Sequence, residues 1–265
     1  MMRVRDSWWL RVVLAIAVFG LFLCFWQLVI VMFGIAPMIL PSPLRVARAA
    51  ISEWDKLSVG FLVTAGVALA ALLVSIVIGM LTAILFSLSR LARAALYPYV
   101  IFLQTVPIVA IAPLLITWFG YGIGTIVLIA TIISLFPIIS NVTAGLVSVD
   151  DNLKDLFQLC GASRRQTMLK LRIPFAIRHL VLGARISAGL AVIGAIVGEF
   201  FVGETATAYA GLGTLIAGWQ RMTHTDSMIA GIMASTLLGL AVLGSVNLAA
   251  HLLLRRWTAG EFDGG

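Results

Sequence analysis

Charge is scarce in this sequence. Only 11% of its 265 residues are Asp, Glu, Lys or Arg, against about 25% in an ordinary soluble domain. With 62% hydrophobic residues and a mean hydropathy of +1.11, the chain has too little polar surface to be wetted all round. That shortage excludes a soluble globular enzyme, a disordered tail and a nucleic-acid binder. Cysteine is scarce as well. Cys24 and Cys160 lie too far apart for a metal motif, and nothing requires a disulfide. The three histidines, His179, His224 and His251, share no ligand spacing. Lys56, Lys154 and Lys170 have no G-x-x-x-x-G-K-[ST] context, so the chain is expected to hold no ATP site, catalytic residue, cofactor or metal of its own.

Long apolar runs are what it has instead. Residues 12–44, 57–89, 94–149, 186–198 and 227–254 carry no charge. About 20 apolar residues cross a hydrocarbon core, so the third run holds two spans. The run Trp118-Phe119-Gly120-Tyr121-Gly122-Ile123-Gly124 divides it, with glycines and aromatics suited to an interfacial turn. Six spans follow, at about 12–34, 60–88, 95–118, 123–147, 178–202 and 228–254. The expected fold is an all-α integral membrane protein, one transmembrane domain over residues 1–265. The first run exceeds the apolar core of a signal peptide (about 7–15 residues), so it reads as a retained span.

Basic residues set the expected orientation. One side collects Arg3, Arg5, Arg11, Arg90, Arg93, Lys154, Arg164, Arg165, Lys170, Arg172, Arg178, Arg185, Arg255 and Arg256; the other has Arg45, Arg48, Lys56 and Arg221. Both termini are therefore expected to be cytoplasmic, and the net charge of +7 is a topology signal. Small residues recur every fourth position at Ser75, Gly79, Ala83 and Ser87, at Gly183, Ser187, Ala191 and Ala195, and at Gly231, Ser235 and Gly239. That spacing lets helices approach closely in lipid. Between the first two spans, Leu44, Ala47, Ile51 and Trp54 share one face of an expected interfacial helix.

The most polar stretch, about 150–174, reads as a structured loop. Asp150 and Asp151 favour a helix start. Leu153, Leu156, Phe157 and Cys160 then form one apolar stripe on a helix of about nine residues. Gly161 stands where a left-handed cap ends it. Ser163 and Gln166 form a capping box that starts a second helix, expected to run until Pro174 closes it and opens the fifth span. So short a helix is marginal alone in water. Its stripe either packs on its own bundle or docks in a partner's groove.

Here the residues resemble a known family. Permeases of binding-protein-dependent ABC importers carry a loop reading E-A-A, three residues, G, nine residues, I-x-L-P. This chain has Asp155-Leu156-Phe157, then Gly161-Ala162-Ser163-Arg164, then Leu171-Arg172-Ile173-Pro174, with Leu156 and Phe157 in place of the two alanines. Leu40-Pro41-Ser42-Pro43-Leu44, Pro107 to Gly120, Phe136-Pro137-Ile138 and Gly211-Leu212-Gly213-Thr214-Leu215-Ile216 are similar to that family too. They most resemble its nitrate, sulfonate, taurine and bicarbonate branch, whose relatives also import thiamine precursors and riboflavin. The resemblance implies a type I importer bundle in the bacterial inner membrane and a small anionic or polar solute. It implies a homodimeric pore, two ATP-binding subunits that hold ATP and Mg, and an extracytoplasmic substrate-binding protein. Leu153, Asp155, Leu156, Phe157, Cys160, Gly161, Ala162, Ser163, Leu171, Ile173 and Pro174 would then couple the pore to the ATPase.

Candidates for a translocation path are Gln104, Thr105, Ser134, Asn141 and Glu199. Interhelical hydrogen bonding accounts for the first four equally well. Glu199 is the one acid inside an expected span, near its outer end; at a bilayer centre it would cost about 2.5–3.5 kcal/mol. It either pairs with Arg221 or backbone amides, or lies at a gate. An ion-coupled secondary transporter or channel is the alternative reading, and it would need more intramembrane charge. An intramembrane enzyme would need a facing nucleophile and base.

Overall fold

In the computed structural model, residues 8–203 and 210–258 are described, without the side chains of Trp8, Arg11 and 253–258. Arg3 and Arg5, and the side chains of Arg11, Arg255 and Arg256, therefore lie outside the described residues. Those residues form helices and no strand. They are α1 Trp8–Phe33, α2 Pro43–Ser52, α3 Trp54–Leu88, α4 Arg90–Thr105, α5 Ile108–Phe119 and α6 Ile123–Val147. Then come α7 Asp151–Leu159, α8 Arg164–Thr167, a π-turn Met168–Arg172, α9 Ile173–Val202, α10 Leu212–Arg221 and α11 Thr225–Thr258. Five stretches are long and apolar enough to cross a membrane, and the bent pair α4–α5 makes a sixth if counted as one.

That pair corrects the expected third span at 95–118. The chain turns by 101° between Thr105 and Ile108. Pro107 disfavours helical backbone at the residue before it, and Val106 is extended, with φ −68° and ψ 124°. The fifth span is corrected in the other direction. Pro174 closes nothing, because Arg164–Val202 runs on as one 39-residue stretch. The amide of Ile173 bonds back to the Met168 carbonyl across the π-turn. Proline supplies no N–H for the next carbonyl, and the widened turn absorbs its ring where a tighter helix would break.

The α2 helix is amphipathic as expected, but it packs through the other face. Val46 and Ala49 are buried, while Leu44, Ala47 and Ile51 are exposed. The exposed apolar face suits lipid contact. Trp54, also exposed, belongs to α3, across a break at Glu53.

The middle of the molecule is α3, α6 and α9, held together by small residues. Ser75, Gly79 and Ala83 are buried on α3, and Gly183, Ser187, Ala191 and Ala195 on α9. Ser75 Oγ lies 2.7 Å from Ser134 Oγ, and Ser187 Oγ donates to the Ser134 carbonyl at 2.6 Å. A methyl group at Gly194 would sit 2.5 Å from Ala130 Cα, on backbone that cannot swing away. Gly194→Ala should therefore cost about 1–3 kcal/mol of stability. It is expected to lower the melting temperature of the detergent-solubilised protein. Gly189→Ala, with nothing within 4 Å, should leave that temperature unchanged; equal melting of both variants would refute the tight α6–α9 seam.

Candidate functional site

Two sites come from these elements, one at each end of α9. At the first, Asp150 caps α7 by accepting from the Asn152 amide at 2.8 Å. Lys154 Nζ reaches Asp151 Oδ1 at 2.8 Å. That hydrogen bond and charge hold the Asp151 carboxyl below its ordinary range. The helix ends in a complete Schellman motif. Gly161 N–H donates to the Gln158 carbonyl and Ala162 N–H to the Phe157 carbonyl, both at 2.9 Å, and Gly161 has φ +68°.

The next helix begins two residues later. Gln166 N–H donates to Ser163 Oγ at 3.3 Å, and Ser163 N–H donates to Gln166 Oε1 at 2.7 Å. These bonds close the reciprocal capping box. The elbow between α7 and α8 is thus hydrogen-bonded on both flanks. Beyond it, Leu171, Ile173 and Pro174 are half-buried at the root of α9.

The stripe of α7 faces away from the bundle. Leu153 is 42% exposed and Leu156 53%, Cys160 and Asp155 are exposed, and Phe157 is half-buried. On the polar flank Lys154 is half-buried and Gln158 exposed. Lys154 and Gln158 border a cavity shared with Ser87, Arg164, Met168 and Arg172. No residue of α7 is buried, so the bundle leaves its apolar stripe without a covering partner.

At the far end of α9, Glu199 is 1% exposed. Its Oε2 accepts from Thr64 Oγ1 and from the Gly213 amide, each at 2.9 Å. Thr64 Oγ1 in turn accepts from the Leu212 amide at 2.8 Å, and Thr214 Oγ1 donates to the Glu199 carbonyl at 3.2 Å. The carboxylate of one helix thus holds the first-turn amides of another, where the helix dipole favours negative charge. Glycine is required for this approach: a Cβ on Gly213 would strike the Ile196 carbonyl oxygen, and one on Gly211 the Glu199 carboxyl. The expected pairing with Arg221 is not formed. Arg221 is exposed at the opposite end of α10, and the Gly213 amide and the Thr64 hydroxyl take the carboxylate instead.

The remaining path candidates are not gathered together. Gln104 and Thr105 are exposed at the end of α4, and Thr105 Oγ1 donates to the Phe102 carbonyl of its own helix. Ser134 belongs to the α3–α6–α9 seam. Asn141 Nδ2 donates to the Pro137 carbonyl one turn back at 2.8 Å. His179 packs on Gly145 and Phe175. Thr64 is the residue that sequence reading passes over; its only signal is a hydroxyl in an otherwise apolar run.

Comparison with known proteins bears on both sites. The family model described as "Binding-protein-dependent transport system inner membrane component" matches residues 75–258. The formylaminopyrimidine transport permease protein of Halalkalibacterium halodurans is 31% identical, over 89% of this chain and 92% of its own length. The riboflavin transport system permease protein of Chloroflexus aurantiacus is 32% identical, over 90% and 88%. The taurine transport system permease protein of Escherichia coli is 27% identical, over 97% and 93%.

Proposed function

This chain belongs to the binding-protein-dependent transport system inner membrane components, and from that membership we propose how its two sites work together. It is a multi-pass inner-membrane protein, the permease subunit of an ABC importer, and not an enzyme. Systems of this family pair such a permease with ATPase subunits and a substrate-binding protein. The finer reading is as follows. Residues 1–265 make one transmembrane domain with both termini in the cytoplasm. Two copies form the pore over two ATPase subunits, which bind the ATP and Mg. The solute is a small polar or anionic molecule, as the names of the relatives suggest.

Helix α7 is the part that enters a groove of the ATPase. The observation that carries this is its stripe: Leu153, Leu156 and Cys160 are exposed and Phe157 half-buried, with no residue of α7 buried against the bundle. The hydrogen-bonded elbow at Gly161–Ser163 passes the motion to the continuous stretch Arg164–Val202. At the outer end, Glu199 transfers it to α10. A rigid connection between two such contacts is a sound basis for alternating access.

Leu156→Asp tests the docking. The side chain is half in the open, so insertion is untouched, but a charge in an apolar groove should cost about 2 kcal/mol or more. Copurification of the ATPase with the tagged permease is expected to fall roughly thirtyfold in apparent affinity. Undiminished copurification would show that the stripe faces something else.

A further inference from the structure

A basic recess lies at the end of the bundle that carries α7, and the transport reading does not use it. Between α4 and α6 is a cavity of about 590 Å³ bordered by Arg90, Arg93, Tyr97, Ser140, Thr143 and Ser148. Through the same two arginines it adjoins a second cavity of about 280 Å³ that adds Lys154 and Arg172. Among the described residues, no carboxylate lines either cavity. The Arg90 and Arg93 guanidiniums make no ion pair among the described residues.

Two further features point to an anion. Thr143 is 5% exposed, borders the larger cavity, and its Oγ1 has no hydrogen-bond partner among the described residues. Thr82, Thr117 and Thr236, by contrast, donate to the carbonyl four residues back. The start of α4, capped by Ser89, also opens here and adds the positive end of its dipole.

The recess combines basic and apolar walls. Its basic mouth is at Arg90, the first residue of α4, and at Ser148, just past the end of α6. Ala94 and Pro98, one and two turns along α4, and Ala144 and Val147 in the last turn of α6 supply apolar wall. A free inorganic anion has no use for that wall, whereas an acyl chain beneath a headgroup has.

We propose that this recess binds an anionic phospholipid, its phosphate held by Arg90, Arg93 and Thr143. Basic pockets between transmembrane helices on the cytoplasmic side suit such headgroups. Arg172 of the π-turn donates to the Ser87 carbonyl at 3.4 Å, which ties that turn to the end of α3 beside the recess. Only the choice of the inner leaflet rests on the orientation proposed above.

The experiment is native mass spectrometry of the purified, delipidated importer complex, titrated with phosphatidylglycerol or with phosphatidylcholine of the same acyl chains. The wild-type permease chain is expected to retain phosphatidylglycerol with roughly tenfold preference, and Arg90→Gln/Arg93→Gln to lose that preference. Thr143→Val leaves charge and topology alone and should weaken retention about threefold, which decides the matter if the double variant fails to insert. Equal retention of the two lipids, or unchanged retention in the variants, overturns the proposal. Displacement by millimolar inorganic phosphate would assign the site to a free anion and overturn it too. Lipid is scored on the permease chain and the ATPase by its presence in the complex, so failure of α7 docking would register separately.

Discussion

Gly161→Val should lower ATP-driven uptake roughly tenfold while membrane insertion and expression stay normal. The residue sits at φ +68°, and a Cβ there meets nothing within 4 Å, so the penalty is conformational and not steric crowding. Left-handed backbone costs an L-residue about 1–2 kcal/mol, and a β-branched one more. Relief comes by unwinding the two bonds that Gly161 and Ala162 make to Gln158 and Phe157. The elbow then flexes, and α7 moves without moving α9. Gly161→Asn is the control, because asparagine tolerates this region. Uptake into proteoliposomes, compared with ATP hydrolysis by the same vesicles, makes the distinction. Hydrolysis that continues without uptake is the expected outcome for valine, with asparagine near wild type. Full uptake in Gly161→Val would end the argument for a rigid elbow.

At the other end of α9, Glu199→Leu should be among the most damaging single changes. It keeps the volume but strips the acceptor from the buried Gly213 amide, while the Thr64 hydroxyl loses its tie to α9 and keeps only the Gly60 carbonyl of its own helix. The unsatisfied amide costs about 1–3 kcal/mol, enough to loosen the first turn of α10 from α3 and α9. A fall in both melting temperature and uptake is expected. Glu199→Gln separates the two roles open to this side chain. Its amide oxygen still accepts from Gly213 and Thr64, so a positioning role predicts near-normal assembly and transport. Normal assembly with abolished uptake would instead mean that the charge itself acts on the solute path.

Much of the loop at 150–174 was legible because its causes are local. Asp150 caps two residues ahead, Gly161 ends the helix it follows, and Ser163 with Gln166 starts the next within one turn. Each device acts within a few residues of itself, so the residue types suffice to reveal it. The membrane-crossing stretches were legible for a related reason: length and apolarity are properties of a segment alone.

Other features were not legible, for equally physical reasons. Pro98, Pro113, Pro137 and Pro174 all lie within continuous helical stretches, whereas Pro107 stands at a 101° turn. No rule of one residue distinguishes these, since packing decides whether a freed carbonyl is tolerated. The partners of Glu199 were equally hidden. Thr64 is 135 positions away in sequence, and Gly213 became a donor only because α10 folds back onto α9.

By itself, then, the sequence determined that the chain lives in a membrane, roughly where it crosses, and how the loop before α9 is capped. Those outcomes follow from segment hydropathy and from hydrogen bonds spanning one helical turn. Tertiary structure decided which face of α2 is buried, where the third apolar run bends, that Arg164–Val202 is continuous, and what Glu199 holds. These depend on contacts between segments far apart along the chain, whose energies exist only once the bundle has formed.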